Sequence, residues 1–241
     1  MIKLDEAKVH LKMLLQKHED EEFLHLVGIC DIVLQEYDDA IQDVREETIG
    51  IINFSLYHSL NYIEDIEELF LAADMESADK VKLVNDFLEL LSKTGGLDCI
   101  CSFITIDSMR INKEYRNRNF GSLAIKELLN YSMYLNVDYI ILHPAPIEKL
   151  ESNETRINKI KEISKFYEKA GFKYFQVGND EPIMVYCESS YLIPDLFSSD
   201  KLEIDPIHDD ETPIKVTVPD VPFFKEIDTI FNKVFKKGVK D

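Results

Sequence analysis

The sequence predicts an α/β (α+β) protein in which a central sheet is flanked by helices. Three observations lead there. Residues 97–106 are apolar on both sides of an extended chain, with Leu97, Cys99, Cys101 and Phe103 on one face and Ile100, Ile104 and Ile106 on the other. A strand of that kind is covered above and below. Segments rich in β-branched and aromatic residues recur along the chain, and between them lie segments with apolar residues at three- and four-residue steps.

The elements follow in order. Residues 4–18 are predicted as a short amphipathic helix, because Leu4, Ala7, Leu11, Leu14 and Leu15 fall on one side of a helix. The acidic run 19–22 ends it. Residues 23–37 and 48–59 read as two strands around a polar turn near Asp38 and Asp39. Residues 62–74 and 77–92 read as two helices that break near Glu76 and Ser77, and Leu83, Phe87, Leu90 and Leu91 form the apolar face of the second. Thr94, Gly95 and Gly96 stop that helix before the strand at 97. A helix over 122–135, a strand over 138–143 and a long loop over 144–154 come next. A helix over 155–170 has Ile157, Ile160, Ile163, Tyr167 and Ala170 at helical spacing, with Gly171 as its stop. Two short strands, 172–178 and 183–188, complete the order.

Composition changes after residue 188. Residues 189–241 carry five prolines and the acidic cluster at Asp209, Asp210 and Glu211, and end in an amphipathic pattern over 223–235. The predicted organisation is therefore a domain over 1–188, with its motif-bearing core at 97–188, and an acidic, proline-containing extension over 189–241.

A chain of 241 residues with 45% hydrophobic content can bury a substantial core. No stretch is long and apolar enough for a membrane helix, and the first residues lack an apolar secretion signal. The four cysteines include no C-x-x-C pair, so reduced thiols in the cytoplasm and no metal are expected. A net charge of −19 argues against nucleic acid, whose binding requires phosphate neutralisation. It favours a cationic acceptor, although solubility alone accounts for it equally well.

Against that background residues 106–122 reverse the sign: Arg110, Lys113, Arg116 and Arg118 outnumber Asp107 and Glu114. They join a buried strand to the start of a helix, where free backbone N–H groups and the helix dipole attract an anion. Neither a P-loop nor a G-x-G-x-x-G turn is present. The pattern from Arg116, Arg-x-x-Asn-x-Gly-Ser, resembles the Arg/Gln-x-x-Gly-x-Gly/Ala loop of the GNAT N-acetyltransferase superfamily. Ile111-Asn-Lys-Glu-Tyr115 is similar to that family's lead-in, and Phe166-Tyr-Glu-Lys-Ala-Gly-Phe172 resembles its last helix and the strand that follows. Asn119 stands where the family usually has its first Gly, and Asn tolerates left-handed backbone angles. The resemblance covers residues 97–187.

The resemblance implies a GNAT-like mixed, mainly antiparallel sheet splayed between its two middle strands. It implies an acetyl-CoA-dependent N-acetyltransferase that needs no metal and acts by direct attack of a primary amine in a ternary complex. Met109, Arg110 and Ile111 would run beside the pantetheine arm, with main-chain groups of Met109 and Ile111 pairing with its amides. Arg116, Asn117, Arg118, Asn119, Phe120, Gly121 and Ser122 would meet the pyrophosphate. Tyr167 matches the tyrosine proposed to protonate the departing thiolate. Asp107, His143 and Glu148 are candidate bases, with water as another. The helix pair at 62–92 departs from the family, which commonly places that pair after its first strand. Partners expected are a small or peptidic amine and, should the extension pack across it, a second copy of the chain. A non-catalytic acyl-CoA-binding or interaction module of the same fold is the alternative.

Overall fold

The computed structural model of the chain describes residues 8–17, 25–38, 43–58, 62, 66–93, 102–146, 152–176 and 182–187. Its elements are β1 (Lys8–Lys17), β2 (Leu26–Asp38), β3 (Asp43–Tyr57), α1 (Ile66–Glu76), α2 (Ala78–Lys93), β4 (Phe103–Ile111), α3 (Phe120–Tyr134), β5 (Tyr139–Leu142), α4 (Asn153–Glu168), β6 (Lys173–Phe175) and β7 (Ile183–Cys187). One seven-stranded sheet has the order β1-β2-β3-β4-β5-β7-β6. Every neighbouring pair is antiparallel except β4 and β5, which are parallel and joined through α3. This is the mixed, mainly antiparallel sheet that the family resemblance implies.

The predicted N-terminal helix is a strand instead. In β1, Val9, Leu11, Met13 and Leu15 all pack on the core, a period of two that the helical reading overlooked. Leu14, counted on the helix face, is 53% exposed. The competing period won because β2 supplies a partner over the whole length of the strand, from Lys8 opposite Gln35 to Lys17 opposite Leu26. Residues 147–151 of the long loop and the extension at 189–241, including the amphipathic pattern at 223–235, lie outside the described residues, as do Cys99 and Cys101.

Alternation along the strands divides the core into two layers. Tyr57, Phe103, Tyr139, Ile141 and Val185 face α1 and α2, where Leu69, Ala73, Val84, Phe87 and Leu91 meet them. Ile52, Phe54, Leu56, Ile104, Ile140 and Met184 face the other way, toward Ala124, Ile125 and Leu128 of α3 and Tyr167 of α4. Ser77 begins α2 by accepting a hydrogen bond from the Lys80 backbone at 3.1 Å, and Ser152 begins α4 by accepting one from Thr155 at 3.2 Å. Gly171, at φ 98°, ends the turn after α4, and Phe172 N–H reaches back to the Tyr167 carbonyl at 3.2 Å. Ile157 is exposed at the start of α4 and does not join its apolar face. As the sequence order predicts, α1 and α2 directly precede the motif-bearing strand.

Candidate active site

The site begins where two central strands stop pairing. Phe103, Ile104 and Thr105 of β4 pair with Tyr139, Ile140 and Ile141 of β5, and β5 ends at Leu142. Strand β4 continues to Ile111, paired on its other side with β3 as far as Gly50. Among the described residues, 107–111 therefore have no strand neighbour on the β5 side. A bulge in the β3–β4 ladder, where Asn53 opposes Ser108 and Phe54 opposes Ile106, leaves Asp107 as the extra residue. A bulge bends its strand and re-aims the side chains beyond it.

Main-chain groups alternate along such a strand. Asn112 N–H points to β3, bonding the Ile49 carbonyl at 2.8 Å, so those of Met109 and Ile111 point into the gap. The gap opens into a cavity of about 570 Å³. Met109, Ile111, Arg116, Asn117, Asn119, Phe120, Gly121, Ser122 and Tyr167 all line it. Arg110 and Arg118 do not. Arg110 belongs to a neighbouring groove with Lys113 and Glu114. The Arg118 guanidinium lies 5.9 Å from the centre of the Tyr115 ring.

After β4, a single 3-10 turn at Lys113–Tyr115 leads to Asn117 and Asn119, with φ of 61° and 65°. Left-handed residues set into a turn direct successive N–H groups to one side and form an anion-binding hollow. Asn119 precedes the first residue of α3 and makes no side-chain cap, so its own side chain leaves the N–H groups of that first turn uncovered. A Cβ on Gly121 would meet Met109 and Phe166 at ordinary contact distances of 3.4 and 3.5 Å, filling part of the gap. Arg116 Nε donates to the Ile111 carbonyl at 3.0 Å, which anchors the arginine at the rim and leaves its terminal nitrogens for an anion.

Tyr167 is 7% exposed and packs edge-on against Phe166 and Phe172, at 5.0 and 5.3 Å between ring centres. Burial pushes its phenol above the ordinary value, so the hydroxyl stays protonated at neutral pH. Among the described residues none hydrogen-bonds that hydroxyl. This nearly sealed ring borders the cavity.

Of the candidate bases, Glu148 lies outside the described residues. Asp107 and His143 both line the cavity, one from each of the separating strands. Asp107 leads to a polar cluster that the sequence reading missed. Its Oδ1 accepts from Thr105 at 3.0 Å and lies 2.8 Å from Lys80 Nζ. Lys80 also donates to Ser55 at 2.6 Å and to Glu76. Glu76 accepts from Ser55 at 2.8 Å and Tyr57 at 2.9 Å, and lies 3.0 Å from the fully buried His25. Burial raises the Asp107 carboxyl above its usual range although Lys80 pulls the other way. Burial opposes ionisation of Glu76 too, but hydrogen bonding to His25 and the charge of Lys80 outweigh it and bring the group to about 2. The available signal was the i,i+4 spacing of Glu76 and Lys80, masked by reading Glu76 only as a helix break. Among the described residues no group of His, Cys, Asp and Glu is arranged to hold a metal ion.

No protein-family model matches the sequence, and no curated protein matches it. Among solved structures the chain is similar to Arabidopsis thaliana NAA60 in complex with acetyl-CoA, at 13% identity over 67% of this chain and 76% of that one, TM-score 0.32. It is similar to mosquito arylalkylamine N-acetyltransferase-like 5b, at 13% identity over 67% and 74%, TM-score 0.35. A third similarity is to Drosophila melanogaster polyamine N-acetyltransferase, at 9% identity over 67% and 74%, TM-score 0.33.

Proposed function

We propose that this chain is a GNAT-type N-acyltransferase that takes acetyl-CoA as acyl donor and a primary amine as acceptor. One observation carries the reading. A strand with a free edge runs into a left-handed turn and an uncapped helix start, and the cavity along that edge is bordered by a buried tyrosine.

Each part has a matching task. The main-chain groups of Met109 and the N–H of Ile111 would bond the amides of an extended acyl-thioester arm, as an added strand would, while the Ile111 carbonyl holds Arg116. The N–H groups around Phe120, Gly121 and Ser122, with Arg116, suit the diphosphate of the donor. Arg110 and Arg118, outside the cavity, are available only to more distal parts of the donor. The amine nitrogen attacks the thioester carbon, the carbon–sulfur bond breaks, and the sulfur departs as a thiolate. A thiol and a phenol differ by roughly 1.5 pH units in their ordinary values, 8.5 against 10. Burial raises the Tyr167 phenol further above the thiol, so it donates a hydrogen bond to the departing sulfur and gives up its proton only as charge builds there. The α1–α2 face of the gap, with Asp107 and His143 at its edges, is the side left for the acceptor.

Titration calorimetry with acetyl-CoA tests donor binding, and thiol release against a panel of primary amines tests transfer. Saturable binding with amine-dependent release is the expected outcome. Absence of acetyl-CoA binding would overturn the proposal, whereas binding without release for any amine would leave a CoA-binding module.

A further inference from the structure

We propose that the acceptor is the N-terminal amine of a polypeptide, and that Ile29 and Leu14 form a subsite for an apolar side chain at its fourth residue. The inference rests on the acyltransferase reading and names the substrate class of that site. A row of residues runs straight across four strands, from the cavity to the edge of the sheet at β1. Ser108 of β4 lines the cavity and stands opposite Asn53 of β3, whose side chain donates to the serine hydroxyl at 2.8 Å. Asn53 stands opposite Ile29 of β2, and Ile29 opposite Leu14 of β1. Residues in register share one face of a sheet. Here it is the α1–α2 face, because the alternate residues Phe54, Cys30, Met13 and Leu15 belong to the layer against α3 and α4. Helices α1 and α2 cover that face at Tyr57, Phe103 and Tyr139 but leave this row open, with Ile29 38% exposed and Leu14 53%.

Adjacent strands lie about 4.8 Å apart, which places Ile29 about 10 Å and Leu14 about 14 Å beyond Ser108. An acceptor of a few atoms occupies the cavity without reaching either. An extended peptide advances about 3.3 Å per residue, so its fourth residue arrives over Ile29. The open face lies on one side of the cavity only. On the other side α2 packs over β5, with Phe87 edge-on to Tyr139 at 5.2 Å between ring centres. A track with one exit suits a chain that ends at the reacting amine, not one that passes through it. Charge favours a basic segment. Asp31 follows Ile29 on the same face and stands opposite Lys12, but the Lys12 ammonium bonds Glu46 instead. The Asp31 carboxylate is thus left for a cation from outside, in a chain whose net charge of −19 already draws one. Covering Ile29 and Leu14 with a leucine-sized side chain removes enough apolar surface from water for a gain of about 10-fold.

Thiol release by the full-length protein with acetyl-CoA tests this on two amidated peptides, Ala-Ala-Ala-Leu-Arg-Ala and Ala-Ala-Ala-Ala-Arg-Ala. Each has its N-terminus as its one primary amine. The leucine peptide should show a kcat/KM about 10-fold above the other. In the variant carrying Leu14→Thr and Ile29→Thr, both exposed positions filled by a strand former, that ratio should fall toward one. Asp31→Asn should lower kcat/KM for both peptides about 3-fold at low salt and less at high salt. Equal values for the two peptides in the wild type, or an unchanged ratio in the double variant, overturns the assignment. Faster release with an N-capped lysine peptide than with either free N-terminus overturns it too. A wild-type dimer in sedimentation that the double variant dissolves gives the face to a second copy and has the same result. Release with n-butylamine but with neither peptide defeats the polypeptide acceptor and leaves the acyltransferase reading intact. Failure of the wild type to bind acetyl-CoA by calorimetry removes that reading and this one with it.

Discussion

At the scale of single residues, two side chains carry opposite kinds of expectation. Tyr167 offers chemistry and little binding, because its ring is buried among aromatics and only its edge can meet a ligand. Tyr167→Phe should lower kcat roughly 10- to 100-fold, the lower range for loss of a proton donor. Its acetyl-CoA affinity by calorimetry should stay near the wild-type value, and an unchanged kcat would remove the acid role. Asn119 offers geometry and no chemistry. A β-branched residue at φ 65° costs about 1–2 kcal/mol, which the turn can recover only by moving. Asn119→Val should weaken acetyl-CoA about 10-fold, that energy expressed as affinity. Asn119→Gly, free to adopt the same angle, should bind as well as the wild type. Equal affinity for the valine variant would separate the left-handed turn from donor binding.

At the scale of elements, β2 and β3 are fitted to each other at one point more tightly than alternation requires. Gly28 of β2 lies opposite Phe54 of β3, whose fully buried ring covers the glycine. A Cβ there would fall 2.1 Å from the ring. Gly28→Val must displace a ring that also packs toward α3, so unfolding in urea should show a loss of about 2–3 kcal/mol, typical of overpacking. The same strand holds Cys30, fully buried, with its thiol pushed up to about 12 by burial and by Asp31. The pairing of β4 with β5 has the opposite character: it ends after three residues, and β4 beyond that point lines the cavity.

At the scale of the whole molecule, the sheet is welded to α1 and α2 through a buried charge cluster beside the cavity. Glu76 sits near 2 in the folded protein against an ordinary 4.5, so the folded state holds its proton less tightly than the unfolded one. A depressed carboxyl contributes stability above about pH 4.5 and loses it as pH falls toward 2. Asp107, raised above its ordinary value, works in the reverse direction across its own titration. Thermal unfolding should therefore show the wild-type midpoint falling steeply below pH 4.5, and Glu76→Gln should flatten that limb. At neutral pH the same variant should be destabilised by about 3 kcal/mol, since Lys80 loses one of its two carboxylates in a buried setting. A variant with an unchanged acid limb would show that other carboxylates govern it.

The sequence by itself determined the helices after residue 66, the central strand covered on both faces and the left-handed asparagine before α3. Each of these depends on local periodicity or on the backbone tolerance of one residue type. Nine of the eleven candidate residues line one cavity in the structure: eight come from the contiguous strand, turn and helix start, and Tyr167 is brought there by α4. Local pattern misassigned β1, where apolar residues satisfy two periods at once and only pairing with β2 selects the strand. It could not separate Arg110 and Arg118 from the cavity, since neighbours in sequence point in different directions once the strand is pleated and the turn closed. The meeting of Asp86 with His143, and of Glu76 and Lys80 with Asp107, belongs to the tertiary structure alone. These residues lie on elements brought together by burial of the apolar layer between them, and charge spacing along a chain carries no record of which helix will cover which strand.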